Sequence, residues 1–191
     1  MQDSPDRILH IMKKCTSRGR YVTKKYKVLF LCRENSARSV MAEALLREFA
    51  GDRFEAFSAG AEPAARIHPL AIAQLRPGIS ELSRLNPKSW LEFTGNWAPC
   101  MDLVIGLCDR VAEYHAPSFP GEPEFCQWNF PDPLGEGMSD DERARAFDKV
   151  FWQILRRVTM LIALPQYAIA GQEPVVESRP AFRGTEMVLS S

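Results

Sequence analysis

The feature that most constrains this chain is the run Lys27-Val28-Leu29-Phe30-Leu31 together with the polar stretch directly after it. Its apolar residues are consecutive rather than alternating, the pattern of a strand covered on both faces in a parallel sheet. The next residues, Cys32 to Ser39, are mostly polar. Beyond them Val40, Met41, Ala44, Leu45 and Phe49 recur at helical spacing, and Gly51 closes the segment. A buried strand that feeds a helix over residues 36–50 through one short loop is the opening of a βα unit.

The rest of the chain repeats that alternation. Phe54–Phe57 reads as a second strand ended by Ser58-Ala59-Gly60, and His68–Arg76 as a helix stopped by Pro77-Gly78. Asp102–Leu107 and Phe125–Phe130 complete a set of four strands. Ser139-Asp140-Asp141-Glu142 forms a capping box. Behind it Phe147, Val150, Phe151, Ile154, Leu155, Val158, Leu161 and Ile162 recur every three or four residues up to Pro165. The expectation is an α/β fold, a four-stranded parallel sheet with helices on both faces, in a flavodoxin-like three-layer sandwich. Its domain spans 27–164, between a basic N-terminal extension (1–26) and a C-terminal tail (165–191). A short helix over Pro5–Lys14 is one option within an otherwise solvated extension, and a contact with nucleic acid or anionic lipid is the lesser reading of its charge.

Charge and cysteine content narrow the function. The 24 Lys and Arg balance the 24 Asp and Glu, which gives no global pull toward nucleic acid or membrane. No apolar run is long enough to span a bilayer, and Met1–His10 lacks a signal core, so the expected location is cytoplasmic. The five cysteines follow neither a disulfide framework nor zinc-ligand spacing, so free thiols are expected, with no metal and no cofactor. Trp90, Trp97, Trp128 and Trp152 read as core or rim packing, His68 as a surface histidine opening a helix, His115 as a loop residue and Cys15 as a spare thiol.

The segment Cys32-Arg33-Glu34-Asn35-Ser36-Ala37-Arg38-Ser39 carries the chemistry. A loop between a buried strand and a helix N-terminus can turn several amides inward as an anion nest. Cys32 would lie at its floor, where the same amides and the helix dipole favour a thiolate. Arg38 would return over the loop and grip two oxygens of an oxyanion in a bidentate fork. Ser39 would donate to the thiolate, and Asn35 tolerates a left-handed backbone. Taken alone, a buried cysteine and a solvated arginine would account for this spacing. A second element changes that balance: Trp128-Asn129-Phe130-Pro131-Asp132-Pro133, whose aspartate is stiffened between two prolines. Asp132 reads as a general acid that protonates a leaving oxygen.

These residues resemble the low-molecular-weight protein tyrosine phosphatase superfamily, which includes thiol-coupled arsenate reductases. The likeness spans roughly Lys27 to Leu164 and includes Phe57-Ser58-Ala59-Gly60. It implies that Cys32 attacks the oxyanion centre, that Arg38 and the loop residues Arg33, Glu34, Asn35, Ser36, Ala37 and Ser39 bind its oxygens, and that Asp132 is the acid. Val104-Ile105-Gly106-Leu107-Cys108-Asp109 is similar to the strand end that carries a resolving cysteine in the reductases, so Cys108 is the redox candidate. Leu134 stands where tyrosine-specific phosphatases place a tyrosine.

Three departures stand out. The positions of a further reductase cysteine hold His115 and Ala116, and Cys100 and Cys126 fall outside the pattern. Asn35, Glu43 and Ser58 match a potassium site found in some reductases, but Leu91 replaces its aspartate. Glu34 stands where the family carries glycine, which puts a carboxylate beside the nest and a side chain in a tight loop.

With nucleophile, clamp and acid all present, the first expectation is a phosphatase that hydrolyses phosphomonoesters through a phosphocysteine, with a phosphoprotein as one substrate. The alternative is an arsenate reductase using Cys32 and Cys108 with an external thiol of the thioredoxin or glutathione type. The third is an oxyanion-binding module with little turnover. Phosphate or arsenate is the expected partner in each.

Overall fold

A computed structural model describes residues 24–109 and 116–167. The Pro5–Lys14 helix, most of the basic extension, Cys15, His115 and nearly all of the C-terminal tail lie outside them.

Four strands form one sheet: β1 (Tyr26–Cys32), β2 (Phe54–Gly60), β3 (Leu103–Gly106) and β4 (Glu124–Gln127). Their order is β2-β1-β3-β4, and every pairing is parallel. Leu29, Phe30 and Leu31 have no exposed surface, as consecutive apolar residues on a doubly covered strand require. Ser58, beside Phe30 on one face, meets Glu43 of helix α1 (Arg38–Ala50). Phe57, beside Leu29 on the other face, packs edge-on against Phe93 of the 3-10 helix Trp90–Phe93, ring centroids 5.7 Å apart. Helical segments therefore lie on both faces. Two further helices, α2 (Pro69–Leu75) and α3 (Asp140–Ile162), contact α1 and one another.

The expected elements are present, with shifted ends. Helix α1 starts at Arg38 because Ser36 and Ala37 belong to the loop before it. Strand β4 stops at Gln127 rather than Phe130. Asn129 takes a left-handed backbone (φ 33°) that breaks the extended run. The amides of Trp128 and Phe130 nevertheless keep bonds to the carbonyls of Gly106 and Leu107, at 2.8 and 2.9 Å.

Helix α3 has the capping box expected of it: the Ser139 hydroxyl accepts from the Glu142 amide, and the Glu142 carboxylate accepts from the Ser139 amide. Phe147, Val150, Ile154, Val158 and Leu161 form its buried stripe. The chain stays packed for three residues past Leu164. Tyr167 packs against Tyr26 and Phe54, at centroid distances of 4.8 and 5.1 Å, and its carbonyl accepts from Arg53 Nη1 at 2.7 Å. Trp90 and Trp128 are buried, whereas Trp97 and Trp152 are exposed. Among the described residues no helix is long and apolar enough to cross a membrane.

Strand order reverses at β1, which has β2 on one side and β3 on the other. In open parallel sheets the crevice beyond the carboxyl ends of strands at such a reversal is where ligands bind. Two segments border it here: the loop from Cys32 to Ala37, and Leu107-Cys108-Asp109 after β3.

Candidate active site

The loop after β1 owes its shape to the segment after β2. The amides of Ala61, Glu62, Ala64 and His68 donate to the carbonyls of Cys32, Arg33, Glu34 and Ser36, at 3.4, 2.9, 2.9 and 2.9 Å. In a planar trans peptide the carbonyl and the following N–H point in opposite directions. Fixing those four carbonyls outward therefore turns the amides of Arg33, Glu34, Asn35 and Ala37 inward. The Asn35 amide donates to Cys32 Sγ at 3.2 Å, as this requires. Helix α1 adds its own amides: its N-cap, Ala37, makes no side-chain cap bond, and its first turn holds no acidic residue. Such a helix start is suited to an anion.

Asn35 supplies the left-handed turn (φ 50°). Glu34 is outside that region, so its backbone does not require the glycine that the family carries there. The position that does need glycine is Gly60. A Cβ on it would come within 2.7 Å of the Arg33 carbonyl oxygen and 2.9 Å of the Asn35 nitrogen.

Beneath the sulfur lies a connected polar network. Asn35 Oδ1 accepts from the Lys88 amide at 2.7 Å, which orients the side-chain amide. Its Nδ2 then donates to both Ser39 Oγ and Ser58 Oγ, each at 2.8 Å. With its oxygen already accepting from Asn35, the Ser39 hydroxyl has its own proton to give to Cys32 Sγ, 2.9 Å away. Ser58 donates in turn to Glu43 Oε2. Asn35, Ser39, Glu43 and Ser58 are all buried, and buried polar chains hold geometry when every member is satisfied.

The potassium site implied by the resemblance can be tested on these atoms. Glu43 Oε1 is paired with Arg47, and its Oε2 with Ser58 and with Lys88 Nζ at 3.5 Å. Both carboxylate oxygens are committed to cations or donors, and Leu91 is an exposed side chain. These residues do not fit a potassium ion; the ammonium of Lys88 stands beside the carboxylate instead.

Arg38 is buried and folded back over the loop. Its Nη1 donates to the Phe130 carbonyl at 3.1 Å, and its Nη2 pairs with Asp132 Oδ2 at 2.9 Å. Asp132 is half-exposed, and its Oδ1 accepts from the Leu134 amide at 3.0 Å. Cys32, Arg33, Glu34, Ser36, Ala37, Arg38, Asp132 and Leu134 line one small pocket, so the structure gathers nearly all the residues singled out from sequence. Asn35 and Ser39 lie beneath it. Arg33 turns its Nε to Glu62, 3.0 Å away. A larger surface depression between α1 and Ile79–Glu81 is lined by no cysteine.

Cys108 lies two residues past the end of β3 and is not among the residues that line the Cys32 pocket. Leu31 faces Gly106 in the ladder, and the Leu107 amide donates to the Leu31 carbonyl at 2.8 Å. Cys32 thus faces Leu107, and Cys108 comes one residue later on a chain about 4.8 Å to the side. Both cysteines are buried, whereas Cys100 and Cys126 are exposed.

Lys88, Gly60 and the Phe130 carbonyl were not apparent as site components in the sequence. They act through contacts with residues far away along the chain. His68 caps α2, with Nδ1 accepting from the Leu70 amide at 3.2 Å, and stacks on Phe147 at 4.8 Å.

Fold and pocket together define a class: a parallel α/β enzyme with a cysteine-bearing loop of inward amides between its first strand and first helix. Residues 27–168 match the family described as low molecular weight phosphotyrosine protein phosphatase, and the chain belongs to that family. Its curated relatives include an arsenate reductase of Bacillus cereus (strain Q1), 35% identical over 121 residues, which are 63% of this chain and 87% of the relative. Another, from Halalkalibacterium halodurans, is 31% identical over 132 residues, covering 69% and 91%. Among solved structures, an arsenate reductase in the phosphate-binding state superposes with a TM-score of 0.56 at 29% identity, covering 75% of this chain and 99% of that one. The arsenate reductase from Archaeoglobus fulgidus gives 0.54 at 27% identity, with coverage of 72% and 99%.

Proposed function

We propose that this protein is an arsenate reductase, the reading placed second on sequence, rather than a phosphomonoester hydrolase. The observation that supports the proposal is that β1 and β3 are adjacent parallel strands, with Cys32 ending β1 and Cys108 two residues past the end of β3. The names of the curated relatives favour the same reading.

In the proposed cycle the Cys32 thiolate attacks the arsenic of arsenate, held by the loop amides and Arg38. An arsenic–oxygen bond breaks, Asp132 gives its proton to the departing oxygen, and water leaves. The Cys108 thiolate then attacks Cys32 sulfur. A disulfide forms, the sulfur–arsenic bond breaks, and its electron pair stays on arsenic, so As(V) becomes As(III) and arsenite departs. Two thiols have lost the two electrons that arsenic gained. An external dithiol of the thioredoxin type, or two glutathione-type thiols, reopens the disulfide by exchange.

The test is arsenite production from arsenate with a thioredoxin system and with glutathione, run beside hydrolysis of p-nitrophenyl phosphate. Cys32→Ser should abolish every activity the wild type has. Cys108→Ala should abolish arsenate turnover and leave ester hydrolysis largely unchanged. Arsenate reduction that survives Cys108→Ala would overturn the proposed relay. Ester hydrolysis without arsenite from either donor would return the phosphatase reading to first place.

A further inference from the structure

We propose that Glu34 makes the pocket selective for oxyanions that carry a proton, favouring inorganic arsenate and phosphate over sulfate and over ester dianions. The inference rests on the reading of this pocket as an oxyanion site and names the feature of the anion it recognises. Glu34 lines the pocket together with Cys32, Ser36, Ala37, Arg38 and Asp132. Its backbone is held from outside, its carbonyl accepting from Ala64 at 2.9 Å. Its Oε2 lies 3.5 Å from the hydroxyl of Ser36, a residue only 4% exposed.

An ionised carboxylate offers acceptors only. A bare oxyanion oxygen also offers only acceptors, so the two repel with no hydrogen bond between them. A P–OH or As–OH group reverses this, because it donates a proton into a charge-assisted bond. Inorganic phosphate and arsenate keep at least one such hydrogen at neutral pH, whereas sulfate keeps none. A phosphomonoester, with its second ionisation near about pH 6, is mostly a dianion without one. The amides and Arg38 attract all of these anions through charge; Glu34 sorts them by whether a hydrogen is present. The charge balance fits. Arg38 already faces Asp132 at 2.9 Å, so a second carboxylate in so small a pocket disfavours any guest that cannot donate to it.

Calorimetric titration of the full-length protein with sodium phosphate and with sodium sulfate, at matched ionic strength and neutral pH, reads this without turnover. A charge-assisted hydrogen bond corresponds to about a ten- to hundredfold preference for phosphate in the wild type. Glu34→Gln places an amide donor at the same reach and should bring the ratio close to one by tightening sulfate; Glu34→Gly should narrow it as well. Equal binding of the two anions by the wild type, or a ratio unchanged in both variants, would overturn the proposal. Failure of arsenate reduction alone would leave that ratio intact, whereas failure of the wild type to bind either anion removes the oxyanion site and this inference together.

Discussion

Arg38 Nη2 and Asp132 Oδ2 are 2.9 Å apart, and the same guanidinium reaches the Phe130 carbonyl through Nη1. The proposed anion clamp and the proposed acid are thus one unit, anchored to the loop after β4. A guest that takes hydrogen bonds from Arg38 competes with the Asp132 carboxylate. The role of acid proposed for Asp132 requires a protonated carboxyl, which would end that competition.

Asp132→Asn should therefore separate binding from turnover. The neutral amide cannot act as an acid, and loss of general acid catalysis is worth roughly 10²–10⁴-fold in kcat. Phosphate binding should tighten by about two- to fivefold, because a half-exposed ion pair no longer opposes it. Parallel calorimetry and kinetics check both; weaker phosphate binding would mean that Asp132 orients Arg38 more than it competes for it.

Gly60→Ala probes the packing between β2 and the loop. The new Cβ would meet backbone atoms of Arg33, Glu34 and Asn35 at 2.7 to 3.0 Å, and backbone cannot swing aside as a side-chain tip can. The inward amides should lose register, weakening phosphate binding by at least about tenfold, while the overpacking itself costs about 1–3 kcal/mol in urea unfolding. Wild-type affinity in this variant would show that the loop tolerates the displacement.

Lys88→Met tests whether a tethered ammonium serves where the resemblance implied a potassium ion. Lys88 Nζ lies 3.5 Å from Glu43, whose side chain is almost fully buried. Removing the ammonium leaves Glu43 with Arg47 and Ser58 and should cost about 1–3 kcal/mol. In the wild type, phosphate affinity and unfolding midpoint should be the same in potassium and sodium salts of equal ionic strength. A stabilisation of the wild type specific to potassium would contradict the site described here.

Much of this architecture was legible because it is local. The apolar run of β1, the Cys32–Ser39 loop and the periodicity of α1 are contiguous, so one stretch of sequence specifies strand, nest and helix. Ser139 and Glu142 signal the start of α3 within four residues. Asp132 was found through its two flanking prolines, again a local mark.

What was not legible depends on distant contacts. Nothing near Lys88 in sequence marks an amide that orients Asn35 and an ammonium that faces Glu43. Gly60 looks like an ordinary strand end until Arg33 and Asn35 are packed on it. The left-handed turn falls at Asn35, the residue whose tolerance for it is readable in the sequence, and so the tight loop admits a side chain at position 34. The β1–β3 register was equally hidden, although the strand end carrying Cys108 was legible.

His68 offers a prediction in pH. Burial, and then the positive charges of Arg143 and Arg66, hold its pKa below the usual 6.5. The folded protein thus keeps the imidazole neutral while the unfolded chain, with its ordinary value, takes up a proton first as the pH falls. By linkage, stability is full above about pH 6.5 and declines as the pH drops toward the lowered folded value. Glu48 and Glu142, also shifted down, titrate below 4.5, and Tyr167, shifted up, titrates above 10.0, so none of the three confuses this window. Protonation would also convert Nδ1 from acceptor to donor and break the cap on Leu70. Urea midpoints at about pH 5.5 and about pH 7.5 should differ for the wild type. They should converge in His68→Asn, which keeps a capping oxygen but has nothing to protonate. The stacking lost against Phe147 lowers both midpoints alike, so the difference between the two pH values is the quantity to read. A difference of the same size in the variant would move the pH sensitivity to another group.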